Sequence, residues 1–279
     1  VGAALKPTVL CIHSFASSAR QYRGLQARLA EFHVVAADLY GHGERARWQG
    51  ERPFTLADEA APLEALLPQE GPVHLVAHSY GAAVALRIAA MNRTRVRSMA
   101  LYEPAIWGTL AEHCAAEAPT LEIEAVRDET LAQLEAGRLE AAAERFIDYW
   151  AGAGSWSATP AERRPRLLSA IRSLGDGWLA TFRERWSAAA LRSLDVPCLL
   201  MSGTRSTSAA RLAAWLLADA LPDAELVELD GLGHLGPITH PERVDEAVQA
   251  FLRNTHMPSR ALRGEGARRS FSLASPGDA

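Results

Sequence analysis

The sequence predicts an α/β protein: a parallel sheet with helices on both faces and an inserted all-helical segment. Three observations predict it. Short runs of Val, Leu, Ile and Ala recur without polar alternation, as strands buried on both faces require. Helix-period stretches lie between them, an alternation that a parallel sheet with right-handed crossovers satisfies. Across residues 105–194 strand patterns vanish while helical ones continue.

In chain order, Thr8–His13 is the first strand and Arg20–Glu31 the first helix. Val34–Asp38 and the helix Leu56–Leu67 follow. Val73–His78 then runs without a linker into the helix Ser79–Met91, and Arg97–Glu103 makes the fourth strand. The helical insertion is punctuated by Gly152, Gly154, Pro160, Pro165, Gly175 and Gly177. Five of the seven tryptophans fall in it, Trp107, Trp150, Trp156, Trp178 and Trp186. Their rings either pack the insertion's own core or line a ligand cavity. Pro197–Ser202, the helix Ala209–Leu221, the strand Glu225–Asp230 and the helix Pro241–Leu252 complete the pattern. Residues 1–104 and 195–254 are thus expected to form the core and 105–194 a cap. The polar, aperiodic residues 255–279 are expected to be a disordered tail.

The chain carries 29 Lys and Arg against 33 Asp and Glu, a net charge of −4. Without a basic excess, nucleic acid is not an expected partner. No apolar run reaches the roughly 18 residues of a membrane span, and Arg87 interrupts the most hydrophobic helical stretch. No membrane association is expected. Residues 1–7 hold neither a basic run nor a long apolar segment, which favours a cytoplasmic location. Cys11 and Cys198 lie in strand runs, where reduced thiols act as small hydrophobes, so no structural disulfide is expected. His74 and His78 would sit about 13 Å apart on an extended strand, too far to share a metal. Neither a metal nor a cofactor is expected, and the oligomeric state stays open.

The strand ending at His78 meets Ser79-Tyr80-Gly81 and then the small, helix-forming residues 82–90. A serine at such a turn is strained and exposed above the sheet edge, with a helix N-terminus beneath it. Ala77 and Gly81 make the motif A-x-S-x-G. Five such residues alone more often mark a structural serine; the flanking strand and helix make Ser79 a nucleophile candidate. A serine hydroxyl needs a base. His234, in a Gly-rich loop after the last strand, is the candidate, against the plainer reading of a loop histidine satisfied by backbone. His240, just before Pro241, is expected to fix that loop. Attack on a carbonyl also needs two preorganised N–H donors, here the amides of Tyr80 and Phe15. Trp107, His13 and Ser14 are expected to contact the substrate, a small molecule.

Together with Asp38-Leu-Tyr-Gly41-His42-Gly43 and the Gly233-His234 loop followed by Pro241-Glu242, these residues resemble the α/β-hydrolase family over residues 8–253. The resemblance implies a serine–histidine–acid triad in a capped α/β core. This chain departs from it in several places. Alanine replaces the first glycine of the elbow, and Ser14 stands where glycine usually follows the histidine, restricting the turn at the oxyanion site. The family's N-terminal antiparallel strands find no counterpart before Thr8. In most members an aspartate follows the strand equivalent to the fifth here, but Gly203-Thr-Arg-Ser206 puts serine there, with no carboxylate before Asp219. A variation within the family moves the acid to the end of the preceding strand, which points to Glu103. Two alternatives stay open: Glu103 as a half-exposed carboxylate joining strand to cap, and Asp230 as the acid if its backbone folds back.

The expected function is a cofactor-independent serine hydrolase of a small to medium, partly apolar ester or related acyl compound, working through an acyl-enzyme on Ser79, His234 and Glu103. Dehalogenases and epoxide hydrolases of this family use a carboxylate nucleophile, so Ser79 sets them aside. A hydroxynitrile-lyase-like use of the same pair is a lesser alternative. The rival from another class is a weak or inactive hydrolase-fold protein that holds a small hydrophobic ligand.

Overall fold

A computed structural model describes residues 6–256. Six strands, β1 (Thr8–Ile12), β2 (His33–Ala37), β3 (Val73–His78), β4 (Val96–Tyr102), β5 (Cys198–Gly203) and β6 (Ala224–Leu229), form one sheet in the order β2-β1-β3-β4-β5-β6. Every neighbouring pair is parallel. The expected α/β fold is observed.

The absence of polar alternation in the strands has a direct cause. Leu10, Ile12, Leu75, Met99, Leu101 and Leu200 face one helical layer, with α2 (Leu56–Glu64), α3 (Tyr80–Met91) and α10 (Ser208–Ala220). The intervening Val9, Cys11, Val76, Ala100, Leu199 and Met201 face the other, with α1 (Arg23–Arg28) and α12 (Pro241–His256). Both faces are dry, so both sets of side chains are apolar. Between β4 and β5 the described residues hold only helices: α4 (Trp107–His113), α5 (Ala118–Glu135), α6 (Leu139–Ala151), α7 (Arg164–Ile171), α8 (Leu174–Arg183) and α9 (Ala188–Arg192). A short α11 (Gly236–Thr239) precedes α12. Trp107, Ile123, Phe146 and Trp178 of this insertion share one apolar cluster with the sheet. The helical insertion is therefore continuous with the core that carries it.

Element ends differ from expectation where tertiary bonds compete with local pattern. The first helix does not run evenly from Arg20 to Glu31: residues Ala19–Tyr22 wind as a 3₁₀ turn and α1 ends at Arg28. There Ala19 N donates to Asp38 Oδ1 at 2.8 Å and Tyr22 Oη to Ile12 O at 2.9 Å, tying the turn to the sheet. α2 carries Pro62, which lacks an N–H, and stops at Glu64 rather than Leu67. α12 continues past Leu252 to His256, so residues 255–256 of the expected tail are helical. The rest of that tail, 257–279, lies outside the described residues. Among the described residues no helix is long and apolar enough to cross a membrane.

β1 lies between β2 and β3, so the chain leaves β1 and β3 toward opposite sides of the sheet. At the strands' C-terminal ends this reversal opens a crevice, the usual place for a ligand in an open α/β sheet. Gly81 shows how tightly its floor is packed: a Cβ there would fall on the carbonyl oxygens of Ile12 and His13.

Candidate active site

Among the described residues, three non-glycines adopt positive φ: Ala16 at 58°, Ser79 at 53° and Glu103 at 45°. Ala16 and Ser79 line the cleft, Glu103 is buried against His234, and backbone strain of this kind persists only where surrounding bonds hold it. Ser79, at ψ −115°, is the turn between β3 and α3. Its N–H donates to Tyr102 O at 2.9 Å, and its carbonyl accepts from Ala82, Ala83 and Ala105. Glu103 sits just past β4, where its N–H donates to Met201 O at 3.0 Å.

His234 Nε2 lies 2.9 Å from Ser79 Oγ, and His234 Nδ1 lies 2.6 Å from Glu103 Oε2. A carboxylate can only accept, so Nδ1 carries the proton and Nε2 presents its lone pair to the serine hydroxyl. Glu103 is 0 % exposed, His234 3 % and Ser79 7 %. A buried carboxylate needs donors to stay ionised. Glu103 has four: besides His234, Ser202 Oγ at 3.0 Å and Gly203 N at 2.8 Å reach Oε1, and Ser206 Oγ at 2.6 Å reaches Oε2. Ser206, at the position after β5 where the family resemblance implies an aspartate, donates to the glutamate from the neighbouring strand. The picture of Glu103 as a half-exposed connector does not match this burial. Asp230 is exposed and accepts from Thr204 Oγ1 at 3.2 Å.

The loop after β1 is held by histidines. His42 Nδ1 donates to Tyr40 O at 2.8 Å while its Nε2 accepts from Ala16 N at 3.1 Å, next to Phe15. Its neighbour Gly43 has φ 56°, and a Cβ there would overlap the Asp38 carboxylate. Among the described residues no hydrogen bond engages the amides of Phe15 or Tyr80, which leaves both free to hold an oxyanion. Ser14 lines the cleft, and its Cβ is tolerated in the turn. His13, expected at the substrate, is a correction. It is fully buried, its Nδ1 donating to Ser14 O at 2.7 Å and its Nε2 accepting from Leu39 N at 3.1 Å. Both nitrogens are spent on fixing the loop.

His78, weighed in the sequence only as a metal ligand, has a different place in the site. Its Nε2 donates to His234 O at 2.9 Å, and its Nδ1 accepts from Gln21 Nε2 at 3.3 Å. The residue before the elbow thus anchors the backbone of the candidate base. His74 instead packs against Ser98 and Phe32, and the described residues contain no cluster suited to a metal ion. His240 is exposed, its Nδ1 2.9 Å from Thr239 Oγ1 at the end of α11.

Ser79 and His234 open into a cleft of about 1010 Å³ between core and insertion. Trp107, Trp150 and Trp178 line it with Phe15 and Phe146. Trp156 and Trp186 are buried away from that lining, so the insertion's tryptophans divide between the two expected roles.

Burial pushes His13 down to about 4 and His42 down to about 3, and holds His78 well below the usual imidazole range. Below about 6.5 the unfolded chain protonates these histidines while the folded one resists, so stability falls as the solution is acidified from pH 6.5 toward 4. Three carboxyls pull the other way, Glu59, Glu184 and Asp245, raised by desolvation, the last to about 6. Asp38 and Asp58, whose desolvation is outweighed by hydrogen bonds that hold them low, act with the histidines at the acid end, so Tm by calorimetry is expected to drop across that window. A Tm that stays level or rises on acidification contradicts the neutral, buried assignment.

Residues 9–247 match the family described as the Alpha/beta hydrolase family. Lipase LipV of Mycobacterium tuberculosis is 38% identical over 100 residues, covering 35% of this chain and 37% of that protein. The (E)-2-((N-methylformamido)methylene)succinate hydrolase of Acinetobacter baylyi is 24% identical over 261 residues, 90% of this chain and 91% of that one. Among solved structures, the enol-lactonase of Burkholderia xenovorans superposes with TM-score 0.68 at 19% identity, over 90% of this chain and 92% of that chain.

Proposed function

We propose that this chain, which belongs to the α/β hydrolase family, is a cofactor-independent serine hydrolase of small to medium, partly apolar esters or related acyl compounds. The observation that carries the reading is the unbroken relay from Ser79 Oγ through His234 to Glu103, opening into an aromatic cleft. Relatives named as a lipase and as a hydrolase support the reaction class.

In this reading Ser79 Oγ attacks the acyl carbonyl as its proton passes to His234 Nε2. Glu103 stays ionised and balances the imidazolium. The amides of Phe15 and Tyr80 hold the oxyanion of the tetrahedral intermediate, and their alignment costs no reorganisation during the reaction because the loop is already fixed. His234 then gives its proton to the leaving oxygen, leaving an acyl group on Ser79. Water, deprotonated by the same imidazole, releases the acid. A ligand-holding protein without turnover would have no use for a carboxylate buried against His234 Nδ1, which favours the hydrolase reading over that rival.

The test is direct. p-Nitrophenyl acetate and butyrate are expected to be hydrolysed, and acid-quenched samples are expected to carry the acyl mass on the peptide containing Ser79. No release above the buffer rate with acetate, butyrate and octanoate esters would sink the proposal.

A further inference from the structure

Trp150 belongs to α6 of the insertion, yet its ring covers the candidate base. The ring centroids of Trp150 and His234 are 4.1 Å apart with planes inclined by 31°. Trp150 is only 9 % exposed. Behind it, Trp107 stacks at 5.8 Å and 23°, and Tyr149 abuts its edge at 4.6 Å. Among the described residues, the other hydrogen-bond and ring contacts of the His234 side chain are Glu103 and Ser79 at its ring nitrogens and the His78 ring at 5.2 Å. Tyr102 Oη donates to the adjacent Gly233 O at 2.7 Å and carries no charge. His78 is neutral, because burial holds it so. Apart from Glu103, then, these contacts bring no formal charge to the imidazole.

Two hydrogen bonds, at Nδ1 and Nε2, define an axis through the imidazole but leave it free to rock about that axis. A flat ring on its face removes that freedom. The negative π face of indole also attracts a cation while acting weakly on a neutral ring. That attraction therefore grows as His234 takes the serine proton, and only an interaction that strengthens toward the transition state raises the rate of the chemical step.

From this placement we propose that Trp150 is a positioning residue: it fixes the tilt of His234 and stabilises the imidazolium formed each time the proton leaves Ser79. The insertion thereby contributes to the chemistry as well as to the cleft wall. The inference rests on the serine hydrolase reading.

The experiment follows inactivation by a fluorophosphonate, which needs the same proton transfer but no knowledge of the substrate, and separates the maximal rate kinact from the binding constant KI. Trp150→Leu is expected to lower kinact about three- to thirty-fold, separately from any change in KI that follows from its place in the cleft wall. Trp150→Phe is expected to recover kinact to within about threefold of the parent, since it keeps a π face. Tetrafluorotryptophan placed at position 150 alone keeps the indole shape, withdraws electron density from its face, and is expected to lower kinact without unfolding the protein. Equal kinact in the parent, leucine and fluorinated proteins overturns the proposal, as does a phenylalanine variant that falls as far as leucine. A parent protein that is folded and never inactivated is a different failure: it removes the serine hydrolase reading itself, and this inference with it.

Discussion

Glu103→Gln is expected to lower kcat on p-nitrophenyl esters by about four orders of magnitude. The reason lies in the donors around the carboxylate. Four of them converge on its two oxygens: Ser202 Oγ, Gly203 N, Ser206 Oγ and His234 Nδ1. Gly203 N can only donate, so the glutamine oxygen is drawn to Oε1's place and the amide nitrogen is left facing Ser206 and His234. An N–H there repels Nδ1–H. The imidazole then adopts the opposite tautomer, with its proton on Nε2, and it can no longer accept from Ser79. The fold is expected to persist, since the amide matches the carboxylate in shape. A variant that keeps full activity would show that Glu103 does not orient the base. Should Ser206→Ala slow the reaction only modestly, that agrees with a donor whose role is to hold Glu103 rather than to touch His234.

Ser79→Ala is expected to lower kcat by about six orders of magnitude, and adding Glu103→Gln to it is expected to change nothing further. Residues that act as one unit lose their effect together. Ser79 Oγ makes its one hydrogen bond among the described residues to His234 Nε2, so its removal leaves the elbow's backbone bonds to Tyr102 and Ala105 in place. Tm close to the parent value separates loss of chemistry from loss of fold. Residual rates that remain within tenfold of the parent would move the nucleophile elsewhere.

The elbow was legible because its requirements are local. A strand, a strained turn and a helix follow within residues 73–91, and Gly81 is small because the carbonyls of Ile12 and His13 crowd it. His234 was legible from its glycine-rich loop at the same sheet edge. Glu103 was harder: residue spacing could not choose it, and it emerged from a vacancy after β5 read through a family resemblance. What the sequence did not disclose are contacts between distant segments. Ser202 and Ser206 meet Glu103 across about a hundred positions, His78 meets His234 across 156, and no periodicity encodes either pairing. His13 departs from its expected place for a related reason. A histidine in a loop at the crevice looks like a ligand contact until both its nitrogens are seen bonded to that loop and its neighbour. Trp150 stood among five tryptophans of one insertion, with nothing local to single it out. Helix and strand ends shifted by a few residues where side-chain bonds such as that of Ala19 N to Asp38 overrode local preference.

In the proposed reaction one buried imidazole, aligned by Glu103, makes Ser79 nucleophilic. Peptide mapping after treatment with a fluorophosphonate checks this. A single phosphonyl adduct is expected on the peptide that contains Ser79, formed quickly by the parent protein and suppressed in His234→Ala. Folded protein that stays unmodified, or an adduct on another residue while Ser79 remains free, would contradict it.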